Sequence, residues 1–224
     1  RYTAACDSFC DIFSERDNIR LFSAPGRTEV GGNHTDHQHG CVLAGGVNLD
    51  VIAVVAPNND GKVRIKSEGY DMDTVDICKL EKDESEHGCA SALIRGVLSR
   101  FKELGCTLSG FNAYTTSNVL KGSGLSSSAA FEVLVGNIVN GMFFEAKADE
   151  ITVAKIGQYA EREYFGKPCG LLDQMASSLG GFTYADFFDP AEPITEKINL
   201  DIHSFGYTPV SYTHLRAHET DQYL

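Results

Sequence analysis

The chain has 224 residues, of which 42% are hydrophobic and 22% charged, a composition typical of a globular protein with a sizeable core. Its formal net charge of −12 at pH 7 argues against non-specific binding to nucleic acid or to an anionic membrane surface, because both require cationic patches. A phosphate ligand is not excluded, since backbone amides hold phosphate without a net positive charge.

The seven cysteines are scattered along the chain without a C-x-x-C pair, which favours reduced thiols over a zinc knuckle or a disulfide framework. The first residues lack the apolar stretch of a signal peptide. The apolar run at 43–55 is interrupted by Asn48 and Asp50 and is too short to span a bilayer. We therefore expect a cytoplasmic protein that binds neither nucleic acid nor membrane.

The first half of the chain predicts strands around a polar loop. Residues 19–24 are typical of a short strand that ends at the breaker pair Pro25-Gly26, and 26–40 is expected to be an ordered, glycine-rich functional loop. The apolar run 47–56 predicts a buried strand, and residues 62–66 alternate at the strand period after a turn. These two strands are expected to form a hairpin.

The second half predicts helices separated by strands. Hydrophobic residues at helical spacing predict a helix at 90–104 that ends at Gly105. The remaining predicted elements are a strand at 110–116, helices at 127–141 and 149–165, a helix stop at Gly166, and strands at 181–186 and 196–208. This order favours an α+β fold over a doubly wound sheet.

The stretch VLKGSGLSSSAA at 119–130 is typical of an anion-binding loop. Gly122 and Gly124 let the backbone turn sharply, and three serines then begin an apolar helix. The free amides of a first helical turn attract an anion, which the helix dipole reinforces. The stretch is not a Walker A loop. A plain glycine turn with a serine N-cap remains an alternative.

The polar stretch APGRTEVGGNHTDHQHG at 24–40 permits two interpretations. His34, Asp36, His37 and His39 could hold zinc, although all four ligands would then come from one short flexible segment. The alternative explains more residues: Arg27 can pair with a carboxylate or phosphate, and His34 and Asp36 can hydrogen-bond the hydroxyls of a polyol.

The stretch EREYFGKPCGLLDQM at 161–175 contains two acidic residues in unusual settings. Glu161 lies near the C-terminal end of its predicted helix, where the dipole disfavours an acid, and residues that break a local rule are functional candidates. Asp173 has apolar neighbours and needs a partner, for which Arg27 is a candidate that would keep it ionised. A solvated Glu161 and a helix-capping Asp173 are the alternatives.

These three stretches resemble segments of a known family of sugar kinases. GSGLSSSAA at 122–130 is similar to the second signature of the GHMP kinases. APGR followed by HTD at 24–36, and E-x-x-x-x-G-x-PCG-x-x-DQ at 161–174, resemble galactokinase segments. Three motifs in family order are far more specific than any one alone. The resemblance implies an α+β fold, that of the GHMP-kinase N-terminal domain (ribosomal protein S5 domain 2-like), with the C-terminal GHMP domain missing.

The resemblance also assigns roles to individual residues. Ser128 and Glu161 are expected to bind Mg²⁺, Asp173 to act as the base, and Arg27 to keep Asp173 charged and to offset charge in the transition state. The loop expected to wrap the ATP phosphates comprises Gly122, Ser123, Gly124, Leu125, Ser126, Ser127 and Ser128. The residues expected to contact the sugar are Arg27, Asn33, His34, Asp36, Gly170 and Asp173.

The implied reaction is ATP-dependent phosphorylation of galactose at the anomeric hydroxyl, with galactose and MgATP as partners and a monomeric full-length protein. Asn33 departs from the glutamate that the family usually has there, and Glu29 and Gly31 also differ from the commonest residues. A kinase for a related sugar, such as N-acetylgalactosamine or arabinose, therefore stays open. A galactose- and ATP-binding regulator without catalysis is a second alternative.

The resemblance divides the chain into four parts. Residues 1–24 are expected to form a galactokinase-type N-terminal segment, 25–186 the GHMP kinase N-terminal domain, and 187–209 the start of a truncated C-terminal part. Residues 210–224 continue no helix or strand period and resemble translated sequencing-adapter read-through, so we expect a non-native tail. The chain alone is expected to turn over little, if at all.

Overall fold

The computed structural model describes residues 1–206, in which seven strands form one mixed sheet. The strands are β1 (Arg20–Gly31), β2 (Cys41–Asn58), β3 (Lys62–Ser67), β4 (Met72–Asp76), β5 (Gly110–Ser117), β6 (Phe182–Asp186) and β7 (Ile194–Ile198). Their order is β4-β3-β5-β2-β6-β7, and β1 pairs with β2. The β3–β5 pair is parallel and the others are antiparallel. The predicted α+β fold is confirmed.

In the described part of the chain, five α-helices accompany the sheet: α1 (Tyr2–Phe13), α2 (Ala90–Glu103), α3 (Ser127–Phe143), α4 (Glu150–Tyr159) and α5 (Leu172–Leu179). The helix α4 continues directly into a π-helical turn, Ala160–Phe165, which ends at Gly166 with a φ of 84°. A short 3₁₀ helix, Thr35–Gln38, lies between β1 and β2. None of the helices within residues 1–206 combines the length and apolar character needed to cross a bilayer.

The long strand β2 is buried on both faces along residues 51–56. Val51, Ala53 and Val55 point into the main core, which they share with residues of α2, α3 and α4. The alternate residues Ile52, Val54 and Ala56 pack instead against Ala5 and Phe9 of α1. Because successive strand residues face opposite sides, this double burial requires an uninterrupted apolar run. The run at 51–56 supplies it, and α1 covers the face that the other helices leave open.

Several predicted elements are confirmed. The helices expected at 90–104 and 127–141 are present as α2 and α3, and the strands expected at 110–116 and 181–186 are present as β5 and β6. The helix expected at 149–165 is present as α4 and its π-helical continuation.

The prediction that the first strand ends at Pro25-Gly26 is wrong, and so is the loop expected from residue 26. Strand β1 continues to Gly31, with register shifts between Pro25 and Arg27 and between Glu29 and Gly31. An irregularity of this kind tolerates a proline, which has no N–H to donate to the ladder. Gly26 lies against the backbone, since an added Cβ would be 2.9 Å from the Leu125 carbonyl oxygen.

The predicted hairpin of 47–56 with 62–66 is also wrong. Strand β5 lies between β2 and β3 and pairs with both, and the hairpin is instead formed by β3 with β4. Strand β7 ends at Ile198, well before the predicted 208. The expected non-native tail, 210–224, lies outside the described residues. The proposed division into four parts stays a prediction.

Candidate active site

The loop between β5 and α3 reaches the start of α3 through two left-handed glycines. Gly122 and Gly124 have φ values of 77° and 75°, and an added Cβ at either would meet no atom within 4 Å. Their backbone angles, and not crowding, therefore require glycine. The first-turn amides of α3 have no acceptor within the helix, which makes this end of α3 suited to an anion.

Ser126 is the N-cap residue of α3, yet it makes no capping hydrogen bond. Its hydroxyl donates instead to Oδ2 of Asp173, at 2.6 Å. The alternative interpretation of the loop as an ordinary serine N-cap is therefore not what the structure contains. Lys121 is exposed.

Arg27 connects this loop to Asp173. The Arg27 Nε donates to Asp173 Oδ1 at 2.7 Å, and its Nη1 donates to the Gly124 carbonyl at 2.8 Å. The guanidinium is 8% exposed and the carboxylate 32%. The expected ion pair is thus present. Asp173 lies in the first turn of α5, whose N-cap residue is Leu171, so Asp173 is not the cap.

The ion pair sets the charge state of Asp173. Burial alone would raise the pKa of this carboxyl, but the hydrogen bond and charge of Arg27, followed by the Ser126 hydroxyl and the charge of His34, outweigh it. The net effect lowers the pKa of Asp173 below its ordinary value. Asp173 is therefore a carboxylate at neutral pH, with one oxygen held by Arg27 and the other by Ser126.

Glu161 lies in the π-helical turn and is 2% exposed, so the alternative of a solvated surface acid is wrong. Its Oε1 accepts from Ser128 Oγ at 3.3 Å and from Lys167 Nζ at 2.9 Å. Its Oε2 accepts from Gln174 Nε2 at 2.8 Å. Ser128 and Glu161, predicted from separate stretches of sequence, therefore lie side by side at the start of α3.

Two buried residues beside Glu161 were not predicted. Gln174 is fully buried and donates to both Glu161 and Glu132, the second at 2.9 Å to Oε2. Burial and the nearby charge of Glu161 raise the pKa of Glu132 well above its ordinary value. Gln174 appeared in the sequence only as the end of a motif. Glu132 gave a detectable signal, because it is an acid on the apolar face of a predicted helix.

The candidate sugar ligands in the polar stretch at the end of β1 differ in exposure to solvent. The side chain of His34 is half exposed. Its backbone N–H donates to Glu29 Oε1 at 2.6 Å, and its ring Nε2 lies 3.4 Å from Glu29 Oε2. Asn33 is exposed with a φ of 50°. Glu29, noted in the sequence only as a departure from the family, therefore holds the backbone and the ring of His34.

Asp36 is 4% exposed, and its Oδ2 accepts from the backbone N–H of Leu172 at 3.0 Å. An added Cβ at Gly170 would lie 1.7 Å from that same oxygen. The absence of a side chain at Gly170 is therefore required by Asp36 itself. Asp36 fixes the start of α5, and so the position of the neighbouring Asp173.

The zinc interpretation of the histidines gains no support. His39 Nδ1 contacts the Phe188 carbonyl oxygen at 2.9 Å, while His37 is exposed beside Asp36. Among residues 1–206, histidine, cysteine, aspartate and glutamate side chains form no group of three or more that could hold a metal.

Two family models match the chain. The model described as the galactokinase galactose-binding signature matches residues 7–57, which include Arg27, Asn33, His34 and Asp36. The model described as the GHMP kinases N terminal domain matches residues 92–181, which include the glycine-serine loop, Glu161, Gly170 and Asp173.

Curated relatives and a solved structure agree with these matches. The chain is 33% identical over 175 residues to a galactokinase of Bacillus subtilis, covering 77% of this chain and 44% of that protein. It is 37% identical over 174 residues to a galactokinase of Lactobacillus helveticus, with 75% and 44% covered. The crystal structure of Lactococcus lactis galactokinase complexed with galactose superposes with a TM-score of 0.80 at 25% identity, covering 89% of this chain and 52% of that one. The chain spans less than half the length of the curated relatives it matches.

Proposed function

We propose that the chain, which belongs to the galactokinases of the GHMP kinase superfamily, forms part of an enzyme that transfers the γ-phosphoryl group of ATP to the anomeric hydroxyl of galactose. The product would be galactose-1-phosphate. One observation carries the proposal: Arg27 joins an ionised Asp173 to the Gly124 carbonyl of the glycine-serine loop. A base for a hydroxyl and a cradle for phosphates are thereby held together.

Asp173 acts on the sugar hydroxyl in this proposal. Its carboxylate is ionised at neutral pH, so it can accept or orient the hydroxyl proton as the oxygen attacks phosphorus. Arg27 holds Asp173 in place and contributes positive charge beside the transferred group, where negative charge is spread over oxygens in the transition state.

The loop binds the phosphates chiefly through its backbone. The left-handed glycines bring the chain to the start of α3, where the first-turn amides have no side-chain cap. We assign residues 122–128 to this role, which suits a chain of net charge −12 because amides and a helix dipole attract phosphate without lysine or arginine.

Ser128 and Glu161 are suited to hold Mg²⁺. Their oxygens lie 3.3 Å apart at the start of α3, and a hydroxyl with a carboxylate is a hard oxygen donor set of the kind Mg²⁺ accepts alongside phosphate oxygens. When bound, the ion would neutralise charge on the phosphates of ATP. Lys167 Nζ contacts the same carboxylate oxygen of Glu161 at 2.9 Å, so a bound ion would compete with this lysine for that oxygen.

The sugar is expected to lie between Asp173 and the polar stretch after β1, within reach of Arg27, Asn33, His34, Asp36 and Gly170. Asp36 has one oxygen committed to Leu172, so we expect its contribution to the sugar to come from the other oxygen. Asn33 presents an exposed amide and no charge, and this keeps a related sugar, such as N-acetylgalactosamine or arabinose, as the second candidate substrate. The complete protein is proposed to be a cytoplasmic monomer.

The test is a sugar panel with the complete protein that carries this chain. ATP-dependent formation of galactose-1-phosphate as the main product supports the proposal, and another preferred sugar shifts the substrate. Asp173→Asn should abolish turnover. Its affinity for MgATP, measured by calorimetry, should stay nearly unchanged. A near-wild-type kcat in Asp173→Asn refutes the assigned role of the base. Tight binding of sugar and MgATP without any product points to a non-catalytic regulator.

A further inference from the structure

Ser126 stands where a helix is ordinarily capped, but its geometry differs from that of a cap. At the start of α4, Asp149 has extended backbone angles, and its side chain accepts from the Thr152 N–H at 2.7 Å. That arrangement is the usual one for an N-cap residue. Ser126 instead has φ 55° and ψ 59°, the left-handed conformation, and no capping hydrogen bond.

This conformation is unusual for a serine. Residues other than glycine adopt it infrequently, because their Cβ crowds the following carbonyl oxygen. A residue held in such a conformation indicates that the surrounding structure needs it there. Gly124, two residues earlier, has φ 75° and shows that glycine already serves this loop where only the turn matters. The side chain of Ser126 is therefore the feature that needs an explanation.

The left-handed backbone places the hydroxyl on Asp173 instead of on the first turn of α3. The Ser126 hydroxyl donates to Asp173 Oδ2 at 2.6 Å, while Arg27 Nε donates to Oδ1 at 2.7 Å. Each carboxylate oxygen thus has its own donor, which fixes the rotation of the carboxylate plane. The same conformation leaves the first-turn amides of α3 without a side-chain cap.

We propose that Ser126 is a positioning residue for the reaction, which orients the Asp173 carboxylate and keeps the first turn of α3 uncapped for phosphate. This inference rests on the proposed function. It adds a role for a side chain whose loop was otherwise assigned only through its backbone. Since Ser126 acts through Asp173, its loss should lower the rate of the chemical step more than it weakens the binding of ATP.

The test compares Ser126→Gly with Ser126→Ala in the complete protein. Both delete the hydroxyl, but glycine adopts the left-handed backbone without strain, whereas alanine keeps the Cβ that strains it. We expect both to lower kcat about tenfold, as loss of a hydrogen bond to a charged group predicts, with the KM for MgATP within about twofold of wild type. Ser126→Gly should nevertheless melt higher than Ser126→Ala, because relief of the left-handed strain offsets part of the lost hydrogen bond.

Ser14→Gly is the matched control. Ser14 ends α1 with φ 56°, is exposed, and lies outside the proposed site. The same substitution at nearly the same φ should raise or maintain stability and leave kcat unchanged. Equal losses of kcat in the two Ser126 variants, despite their different thermal stabilities, are a result that a purely structural role cannot produce.

Three results decide against the inference. A kcat within twofold of wild type in both Ser126 variants overturns it. A raised KM for MgATP at unchanged kcat assigns the hydroxyl to ATP and also overturns it. A wild-type protein that phosphorylates no sugar refutes the proposed function, and the inference falls with it. An active wild type with unaffected variants refutes only the inference.

Discussion

Replacing Arg27 with methionine tests the ion pair at the centre of the site. The substitution keeps most of the apolar stem but deletes the guanidinium, which makes hydrogen bonds of 2.7 Å to Asp173 and 2.8 Å to the Gly124 carbonyl. Arg27 is 8% exposed, so its loss leaves a half-buried carboxylate without its main partner. Breaking a buried pair costs about 3–5 kcal/mol, and the 32% exposure of Asp173 moves the expected loss to about 2–4 kcal/mol.

The loss should depend on pH in a defined direction. In the wild type the pKa of Asp173 is depressed, so its ionised form stabilises the fold above the unfolded value of about 3.8, and this stability is lost as pH falls through the folded pKa. Without Arg27, burial dominates and raises the pKa of Asp173. The difference in unfolding free energy between wild type and Arg27→Met should therefore be largest near pH 7 and shrink towards pH 3.

The assay is urea denaturation of the complete protein at several pH values. Arg100→Met is the control, because Arg100 and Glu103 form an ion pair of 2.5 Å with about half of each side chain exposed. Exposed pairs contribute about 0–1 kcal/mol. An Arg27→Met variant that loses no more unfolding free energy than Arg100→Met, or that loses the same amount at pH 7 and pH 4, would refute the stabilising role of the Arg27–Asp173 pair.

Three further predictions concern other parts of the molecule. Phe9→Ala should lower the unfolding free energy by about 3–5 kcal/mol, because Phe9 is fully buried where α1 packs on β2. Tyr2→Ala, at an exposed position of α1, should change it little. Equal effects of the two substitutions in urea denaturation contradict this. Glu161→Gln should weaken Mn²⁺ binding at least about tenfold in calorimetry with ATP present, whereas Glu163→Gln at an exposed neighbouring position should not. Wild-type affinity for Mn²⁺ in Glu161→Gln removes Glu161 from the metal site. Burial raises the pKa of Glu132 in the folded state above its ordinary 4.5, so that carboxyl lowers stability as pH rises. Glu132→Gln should therefore be more stable than wild type at pH 8, and by a smaller margin at pH 5. A difference in unfolding free energy that does not vary with pH rules out this role of Glu132.

The sequence predicted the helices and the motif-bearing loops better than it predicted the pairing of strands. Helix α2 and strand β5 carry their periodicity locally, so their bounds could be inferred within one or two residues. The insertion of β5 between β2 and β3 depends on contacts across about fifty residues, which no local pattern encodes. Helix α1 went unpredicted although Ala5 and Phe9 have the i, i+4 spacing of a buried helix face.

The candidate site divides in the same way. The separate motifs were sufficient to predict that Arg27 pairs with Asp173 and that Ser128 lies beside Glu161, because each of these residues belongs to a recognisable stretch. The residues that fix their orientation were not predictable. Ser126 was assigned through its backbone alone, and Gln174 bridges two buried acids that lie 29 positions apart in the chain. Such contacts exist only once α3, α5 and the π-helical turn have packed together.

The charges of the site bear on how it could accept a nucleotide. Glu132, Glu161 and Asp173 bring three acidic groups together, and burial keeps Glu132 towards its neutral form by raising its pKa. Arg27 offsets Asp173, and Lys167, whose pKa is raised by Glu161 despite burial, offsets Glu161. These cations are thus already matched by carboxylates, so little positive charge is left for a triphosphate. We infer that the amides of α3 and a divalent cation on Ser128 and Glu161 must together supply the attraction. The affinity for ATP should then depend on magnesium far more steeply than on ionic strength.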